Sequence, residues 1–231
     1  MGTLYVVSTP IGNLEDITLR ALRILKEVDL ILCEDTRQTL KLLNHYGISK
    51  PLVSYFQHSK LSKVEYIIDR LKQGKKLALV SDAGTPGISD PGGKLIQRVV
   101  ELLSDKVEIV VIPGPSAVTA AASISGLPMN KFLFLGFPPT KRKRKKFFEE
   151  IINSKYPIIF YESPHRILKS LIELKFAQIR VQISENSRVV VCRELTKKFE
   201  TIYRGEIEAV IKKLESDKNN LRGEFVVVVS K

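Results

Sequence analysis

The sequence predicts an α/β protein made of two α/β domains, and three observations predict it. Short apolar, β-branched runs alternate with segments of helical spacing along the whole chain. Glycine- and proline-rich stretches follow the apolar runs rather than interrupt them, as they do where strands hand over to helices. The clearest break, Pro113-Gly114-Pro115, coincides with a shift in charge. The expected domains are therefore residues 1–115 and 116–231, and 231 residues that are 44% hydrophobic can bury one large core or two modest ones.

The expected strands are 3–8, 29–33, 77–81 and 107–112, then 132–135, 157–161, 188–193 and 224–229. Leu19, Leu22, Leu25 and Val28 share one helical face, as do Val64, Ile67, Ile68 and Leu71. Asp16 is placed to cap the first of these helices, and Asp35 or Thr36 the helix after the second strand. A further helix is expected over Lys94–Leu103. Ser116 is placed to cap a small-residue helix over Ala117–Ser125, which Gly126 and Pro128 then stop. Ser163-Pro164 reads as the cap and first residue of another helix. This order predicts largely parallel strands in the first half. The alternation in residues 199–204 predicts an antiparallel ribbon in the second.

Composition narrows the function. No apolar run approaches the roughly 20 residues of a membrane span. A strand-like run at the N-terminus leaves no room for a signal peptide, so a cytoplasmic protein is expected. Cys33 and Cys192 lie far apart in apolar runs and are expected as reduced thiols. His45, His58 and His165 show no metal-ligand spacing, so no metal is expected. The net charge is +12 and uneven: residues 1–115 hold 15 basic and 13 acidic residues, residues 116–231 hold 22 and 12. Six basic residues are consecutive: Lys141, Arg142, Lys143, Arg144, Lys145 and Lys146. Such a run needs an anionic partner or full solvation, and the basic second half favours nucleic acid.

The chemistry-bearing segments follow the strands. Ser81-Asp-Ala-Gly-Thr-Pro-Gly-Ile-Ser-Asp-Pro-Gly-Gly93 has four glycines and two carboxylates, which suits a cradle around a small ligand. Thr9-Pro-Ile-Gly-Asn-Leu-Glu-Asp16 and Glu34-Asp-Thr-Arg37 follow the first two strands; Arg37 is a candidate phosphate ligand. Pro113-Gly-Pro-Ser-Ala117 brings small residues to a helix start. The second half has Tyr161-Glu-Ser-Pro-His-Arg166, Arg193-Glu-Leu-Thr-Lys-Lys198 and Arg222-Gly-Glu224. There is no Walker loop, dinucleotide fingerprint or nucleophile elbow, which disfavours nucleoside triphosphatases, dehydrogenases and α/β-hydrolases.

Taken in order, these segments resemble the tetrapyrrole methylase superfamily over nearly the whole chain. Within it they resemble the branch that methylates small-subunit ribosomal RNA. The precorrin and diphthine methylases usually have Gly-Asp-Pro where this chain has Ser81-Asp82-Ala83, and they lack the Tyr-Glu-Ser-Pro-His-Arg and Arg-Glu-Leu-Thr-Lys pair. The resemblance implies S-adenosylmethionine as methyl donor, bound in a cleft between two α/β domains, and a homodimer. It implies methylation of the ribose 2′-hydroxyl of a cytidine in the decoding region, on ribosomal RNA or the assembled small subunit. Carried over by motif position, Pro10, Asp82, Thr85, Ser116, Ala117 and Tyr161 line the donor site, with Leu195 and Gly223 as weaker matches.

A ribose hydroxyl attacks well only when its proton is drawn away. Glu34, Asp35, Glu162, His165 and Glu194 are unranked candidates for that task. Lys141 to Lys146 are the main expected RNA contacts, with Arg37, Arg166, Arg193, Lys197 and Lys198 nearer the chemistry. Asp90 is expected mainly to hold its loop in shape. Two alternatives stand beside this reading: a methyltransferase for a small, anionic tetrapyrrole, and a non-catalytic RNA-binding assembly factor.

Overall fold

The computed structural model describes residues 1–55, 61–180 and 187–230; His58 lies outside them. The chain divides into two compact units, Met1–Ser116 and Ala117–Lys231.

The first unit holds strands β1 (Gly2–Val7), β2 (Leu30–Cys33), β3 (Leu52–Ser54), β4 (Lys76–Leu79) and β5 (Val107–Ile112). They form one parallel sheet in the order β3-β2-β4-β1-β5. Its helices are α1 (Leu19–Glu27), α2 (Thr36–His45), α3 (Leu61–Lys72) and α4 (Gly92–Leu103). Both faces of the sheet are buried over β1, β2 and β4, whereas Ile109 and Val111 of the edge strand β5 stay exposed. Val7, Ile31, Cys33, Ala78 and Val80 pack with Ala21, Ile24, Leu25, Leu42 and Leu43 of α1 and α2. Leu4, Leu30, Leu32, Leu77 and Leu79 pack with Ile67, Ile68, Leu71, Leu95, Val99 and Leu103 of α3 and α4. Period-two alternation in each strand thus feeds two apolar clusters, as parallel sheets require. The chain leaves β1 toward β2 but leaves β4 toward β5. The adjacent carboxyl ends of β1 and β4 are therefore a topological switch point, where open α/β sheets bind ligands.

The second unit begins with α5 (Ala117–Ile124) and β6 (Leu133–Phe134), followed by α6 (Arg144–Asn153) and β7 (Ile158–Glu162). It continues through α7 (Ile167–Arg180), β8 (Arg188–Arg193), β9 (Thr201–Glu206), α8 (Ile207–Glu215) and β10 (Phe225–Ser230). The sheet order is β6-β7-β10-β8-β9, with β6 parallel to β7 and every other pairing antiparallel. Phe148, Phe160, Leu171, Leu174, Val189, Val191, Val210, Leu214, Phe225 and Val227 form its main cluster, which packs α6, α7 and α8 on one face.

Three local expectations are corrected. Thr18, not Asp16, caps α1: its side chain accepts from Ala21 N–H, while Asp16 ends a 3-10 turn begun at Leu14. Strand β3 adds to the expected strands; it is a three-residue, half-buried edge strand behind Pro51. Helix α7 starts at Ile167 rather than Pro164: Ser163 to Arg166 form a turn closed by Arg166 N–H on Ser163 O at 3.0 Å, and Ile167 N–H adds the first helix-type bond to the same oxygen.

Candidate active site and nucleic-acid interface

In the first unit, four strand-end loops are bonded together. After β1, Thr9 N–H donates to Gly84 O at 2.9 Å and Gly84 N–H returns a bond to Thr9 O at 3.0 Å. The Thr9 hydroxyl donates to Ser81 O at 3.0 Å. This two-way bridge is made at Gly84, whose φ of +81° disfavours any residue with a Cβ. Thr85 Oγ1 donates to Pro115 O at 3.1 Å, joining the loop after β4 to the loop after β5. That uses its only proton, so Ser8 is the donor in the Ser8–Thr85 contact at 3.0 Å. Asp82 Oδ1 accepts from Asp35 N–H at 3.0 Å and brings in the loop after β2. Asp90 folds inward on its own loop, accepting from Gly87 N–H at 2.8 Å and Gly92 N–H at 2.6 Å. Pro10 is buried beside this arrangement, Thr85 and Ser116 are half-buried, and Asp82 faces solvent.

The carboxylates of this rim differ in character. Glu34 is half-buried, and burial followed by the charges of Asp90 and Asp82 raises its pKa. Asp82, though exposed as a residue, has its carboxyl turned toward Asp35, and the partial desolvation there raises its pKa as well. Asp35 is the opposite case. Its hydrogen bonds from the Arg37 guanidinium and backbone N–H lower it to about 2, and Arg37 Nη2 lies 2.7 Å from Asp35 Oδ2. Arg37 thus already holds a carboxylate through Nε and Nη2, with its exposed Nη1 side still open to a phosphate. Cys33, beneath the rim, is buried and its thiol pKa raised.

In the second unit, β6, β7 and β8 point the same way and β10 runs against them, so one sheet edge collects the remaining motifs. Tyr161 sits half-buried on β7, edge-on to Phe134 at 4.9 Å and to Phe137 at 5.4 Å. Glu162, beside it, is buried. Its Oε1 accepts from Ser163 N–H at 2.7 Å and pairs with Arg166 Nη2 at 3.0 Å, and its Oε2 accepts from the Ser170 hydroxyl. His165 is exposed on the turn between Pro164 and Arg166.

After β8, Glu194 adopts a left-handed φ of +52°. Its Oε1 accepts from Glu224 N–H at 2.9 Å and from Lys197 Nζ at 3.1 Å. Burial pushes its pKa up, but the Glu224 N–H, Lys197 and Arg193 outweigh burial and lower it. Lys197 also pairs with Glu224 at 2.9 Å. Burial would lower the Lys197 pKa, but Glu224 and Glu194 raise it. Gly223 has φ +97°, and a Cβ there would lie 2.5 Å from the Glu194 side chain. The close approach that this glycine permits is to Glu194. Leu195 is buried.

Two of the expected RNA contacts are corrected. Arg144 is only 6% exposed. It donates to Glu173 Oε2 at 2.8 Å, to Pro139 O at 2.9 Å and to Ser170 Oγ at 2.8 Å. Arg193 is also buried, donating to Arg222 O at 2.7 Å and Phe199 O at 2.9 Å. Both guanidiniums hold the fold, so neither is presented to phosphate. Lys141, Arg142, Lys143, Lys145, Lys146 and Lys198 remain exposed or half-exposed, with Lys145 3.7 Å from Glu149. Ser8, Ser170 and Glu173 do structural work that the sequence motifs did not single out.

The sequence profile of the Tetrapyrrole (Corrin/Porphyrin) Methylases matches residues 3–211. The chain belongs to this family. Relatives that resemble this tetrapyrrole methylase include Ribosomal RNA small subunit methyltransferase I of Thermotoga maritima, 44% identical over all of this chain and 99% of the relative. The protein of that name from Halalkalibacterium halodurans is 46% identical over 99% of this chain and 75% of its own length. Among solved structures, a cobalt precorrin-4 methyltransferase superposes with a TM-score of 0.69 at 21% identity, covering 99% of this chain and 94% of that one. Uroporphyrin-III-C-methyltransferase from Thermus thermophilus gives 0.67 at 19% identity, covering 100% and 95%. At those identities the likeness speaks for the tetrapyrrole methylase fold alone. Among the described residues, no helix is long and apolar enough to cross a membrane and no metal-ligand cluster occurs.

Proposed function

We propose that this chain transfers a methyl group from S-adenosylmethionine to the ribose 2′-hydroxyl of a cytidine in the decoding region of small-subunit ribosomal RNA. One observation carries the reading: identity of 44–46% over essentially the whole chain with proteins named Ribosomal RNA small subunit methyltransferase I. The exposed lysines and Arg142 of the 141–146 run, in a half with 22 basic against 12 acidic residues, suit a polyanionic substrate. The active form is proposed to be a homodimer, and the setting cytoplasmic, where ribosomes are made.

The rim of the first unit fits the donor chemically. S-adenosylmethionine supplies a methyl group already activated on a sulfonium cation. Cationic groups are stabilised beside carboxylates, and the rim gathers Asp82 and Asp90, which lie close enough to raise the Glu34 pKa. Asp82, exposed and anchored by Asp35 N–H, is the proposed polar contact. Pro10, Thr85, Ser116, Ala117, Tyr161, Leu195 and Gly223 are proposed as further parts of the donor site. Thr85 contributes through the loops it ties together.

Positioning supplies most of the rate for an activated methyl donor, and removal of the hydroxyl proton supplies the rest. Of the five candidate bases, Glu162 and Glu194 are bonded by cations and backbone N–H groups, and Asp35 is held near a pKa of 2. Glu34 is the carboxylate whose environment raises its basicity, so it is the proposed proton acceptor. His165, a candidate base from the sequence, is solvent-exposed on its turn and is proposed instead as an RNA contact.

The test offers methyl-labelled S-adenosylmethionine with unmethylated small ribosomal subunits, with naked small-subunit RNA, and with a polycarboxylated tetrapyrrole. Label in a ribose 2′-O-methylcytidine of the RNA is expected. Label in the tetrapyrrole alone overturns the reading, as does an absence of donor binding by calorimetry.

A further inference from the structure

The loop between β6 and α6 has one feature that neither the family motifs nor its charge explains. Phe137 is 50% exposed on a backbone fixed at three successive points. Tyr161 N–H donates to Gly136 O at 2.9 Å, Arg166 Nη1 to Pro138 O at 3.3 Å and Arg144 Nη1 to Pro139 O at 2.9 Å. Two consecutive prolines stiffen the same stretch. Arg144 and Arg166 are themselves tied to the buried Glu162, directly through Arg166 and by way of Ser170 for Arg144. Charge-assisted bonds rooted in the buried Glu162 and Arg144 therefore fix the loop that presents this phenyl ring. The ring rests edge-on against Tyr161 at 5.4 Å, and its remaining surface meets solvent. Four residues later begins the exposed stretch Lys141-Arg142-Lys143.

An exposed aromatic ring on a rigid loop, beside cations that track phosphates, is the arrangement by which proteins stack unpaired bases. Preorganisation matters here, because ordering a mobile ring on binding would offset much of the gain. We propose that Phe137 is a stacking platform for an unpaired base of the RNA substrate, with Glu162 acting through Arg166 and Ser170 as the positioning residue that fixes the platform. The occupant is a nucleobase rather than an apolar protein surface, since the flanking charge is uniformly positive at Lys141, Arg142 and Lys143. The inference rests on the RNA reading above.

The test compares Phe137→Leu, Phe137→Tyr and wild type in steady-state methylation of small ribosomal subunits. The leucine variant keeps apolar bulk without a π-face and is expected to raise KM for the subunit at least about fivefold. The tyrosine variant is expected to stay within about twofold of wild type, because it keeps the π-face. S-adenosylmethionine affinity by calorimetry is expected to be unchanged in both. Equal KM for leucine and wild type overturns the proposal; so does an equal loss in the tyrosine and leucine variants. The chain contains no tryptophan, so Phe137→Trp creates a single fluorescent reporter. Its emission is expected to be quenched by small-subunit RNA in the absence of S-adenosylmethionine; emission that the RNA leaves unchanged overturns the proposal. Failure of wild type to methylate the subunit is a separate result, which overturns the RNA reading itself.

Discussion

The buried Arg144 Nη2 lies 2.7 Å from Oε2 of the half-buried Glu173, although Arg144 is the fourth of six consecutive basic residues. The run is therefore two things at once. Its exposed members face solvent, while its buried member ties α6 to α7 and to the Pro139 carbonyl.

The first prediction separates these roles. Arg144→Ala leaves Glu173 and the Pro139 carbonyl without their partner, and Ser170 with only its bond to Glu162, and is expected to destabilise the protein by about 3 kcal/mol in urea denaturation. Lys141→Ala with Lys143→Ala is expected to change stability by no more than about 0.5 kcal/mol. That double variant should instead weaken RNA binding and flatten its salt dependence, by roughly 0.7 in log–log slope for each phosphate that is no longer neutralised.

The role of Arg144 was readable in principle. Helix α6 buries Arg144, Phe148, Ile151 and Ile152, a spacing of four, three and one that places the arginine on the apolar stripe. Charge counting hid it, because a run of like residues has no phase of its own. Arg193 is similar: it ends the strand Val189-Val190-Val191-Cys192, and alternation puts it on the Val189 and Val191 face. The sheets themselves were readable because Val, Ile and Leu recur with strand and helix periods, whereas β3 is too short to show a period. The loops were found by their glycines and carboxylates, but the bonds that join them could not be. Which of Asp82 and Asp90 faces solvent is decided by tertiary contacts to Asp35 N–H and to Gly87 and Gly92 N–H.

Gly223 yields a second prediction. Its φ of +97° and the 2.5 Å approach of a Cβ to Glu194 combine backbone strain with a side-chain clash. Gly223→Ala is expected to cost about 2 kcal/mol in thermal or urea unfolding. Part of that cost lies in displacing Glu194, a side chain that can move. Combining it with Glu194→Ala should therefore give a total smaller than the sum of the single effects, and a double-mutant cycle reads the coupling directly.

The Asp35–Arg37 pair sets a pH dependence. The Asp35 pKa falls from 3.8 to about 2 in the folded chain. A lowered carboxylate stabilises the fold above its unfolded value, and that stabilisation is lost as pH falls through the folded one. Carboxyl NMR titration should place the Asp35 transition near pH 2 in wild type. In Arg37→Ala it should rise only part of the way toward 3.8, because the backbone N–H of residue 37 still donates to Asp35. An unmoved transition would show that the guanidinium is not its cause.

Glu34 reverses that sign and joins stability to chemistry. Burial and the nearby Asp90 and Asp82 raise its pKa, so its charged form is disfavoured in the fold. The stability it allows is fully present below the unfolded value of 4.5 and is lost as pH rises through the folded pKa. At neutral pH the wild-type chain carries that penalty, and Glu34→Gln removes it. The variant is expected to melt at a higher temperature than wild type at pH 7, with the difference shrinking as pH falls through the folded pKa and gone below 4.5. As the proposed proton acceptor, Glu34 should also be indispensable to rate: Glu34→Gln is expected to lower kcat on small subunits by about a hundredfold or more while the affinity for S-adenosylmethionine changes little. A higher melting temperature together with a lost rate is the signature of a carboxylate kept for chemistry at the expense of stability. A variant that gains stability and keeps wild-type kcat would assign the proton to solvent or to another group and leave Glu34 a purely electrostatic member of the rim.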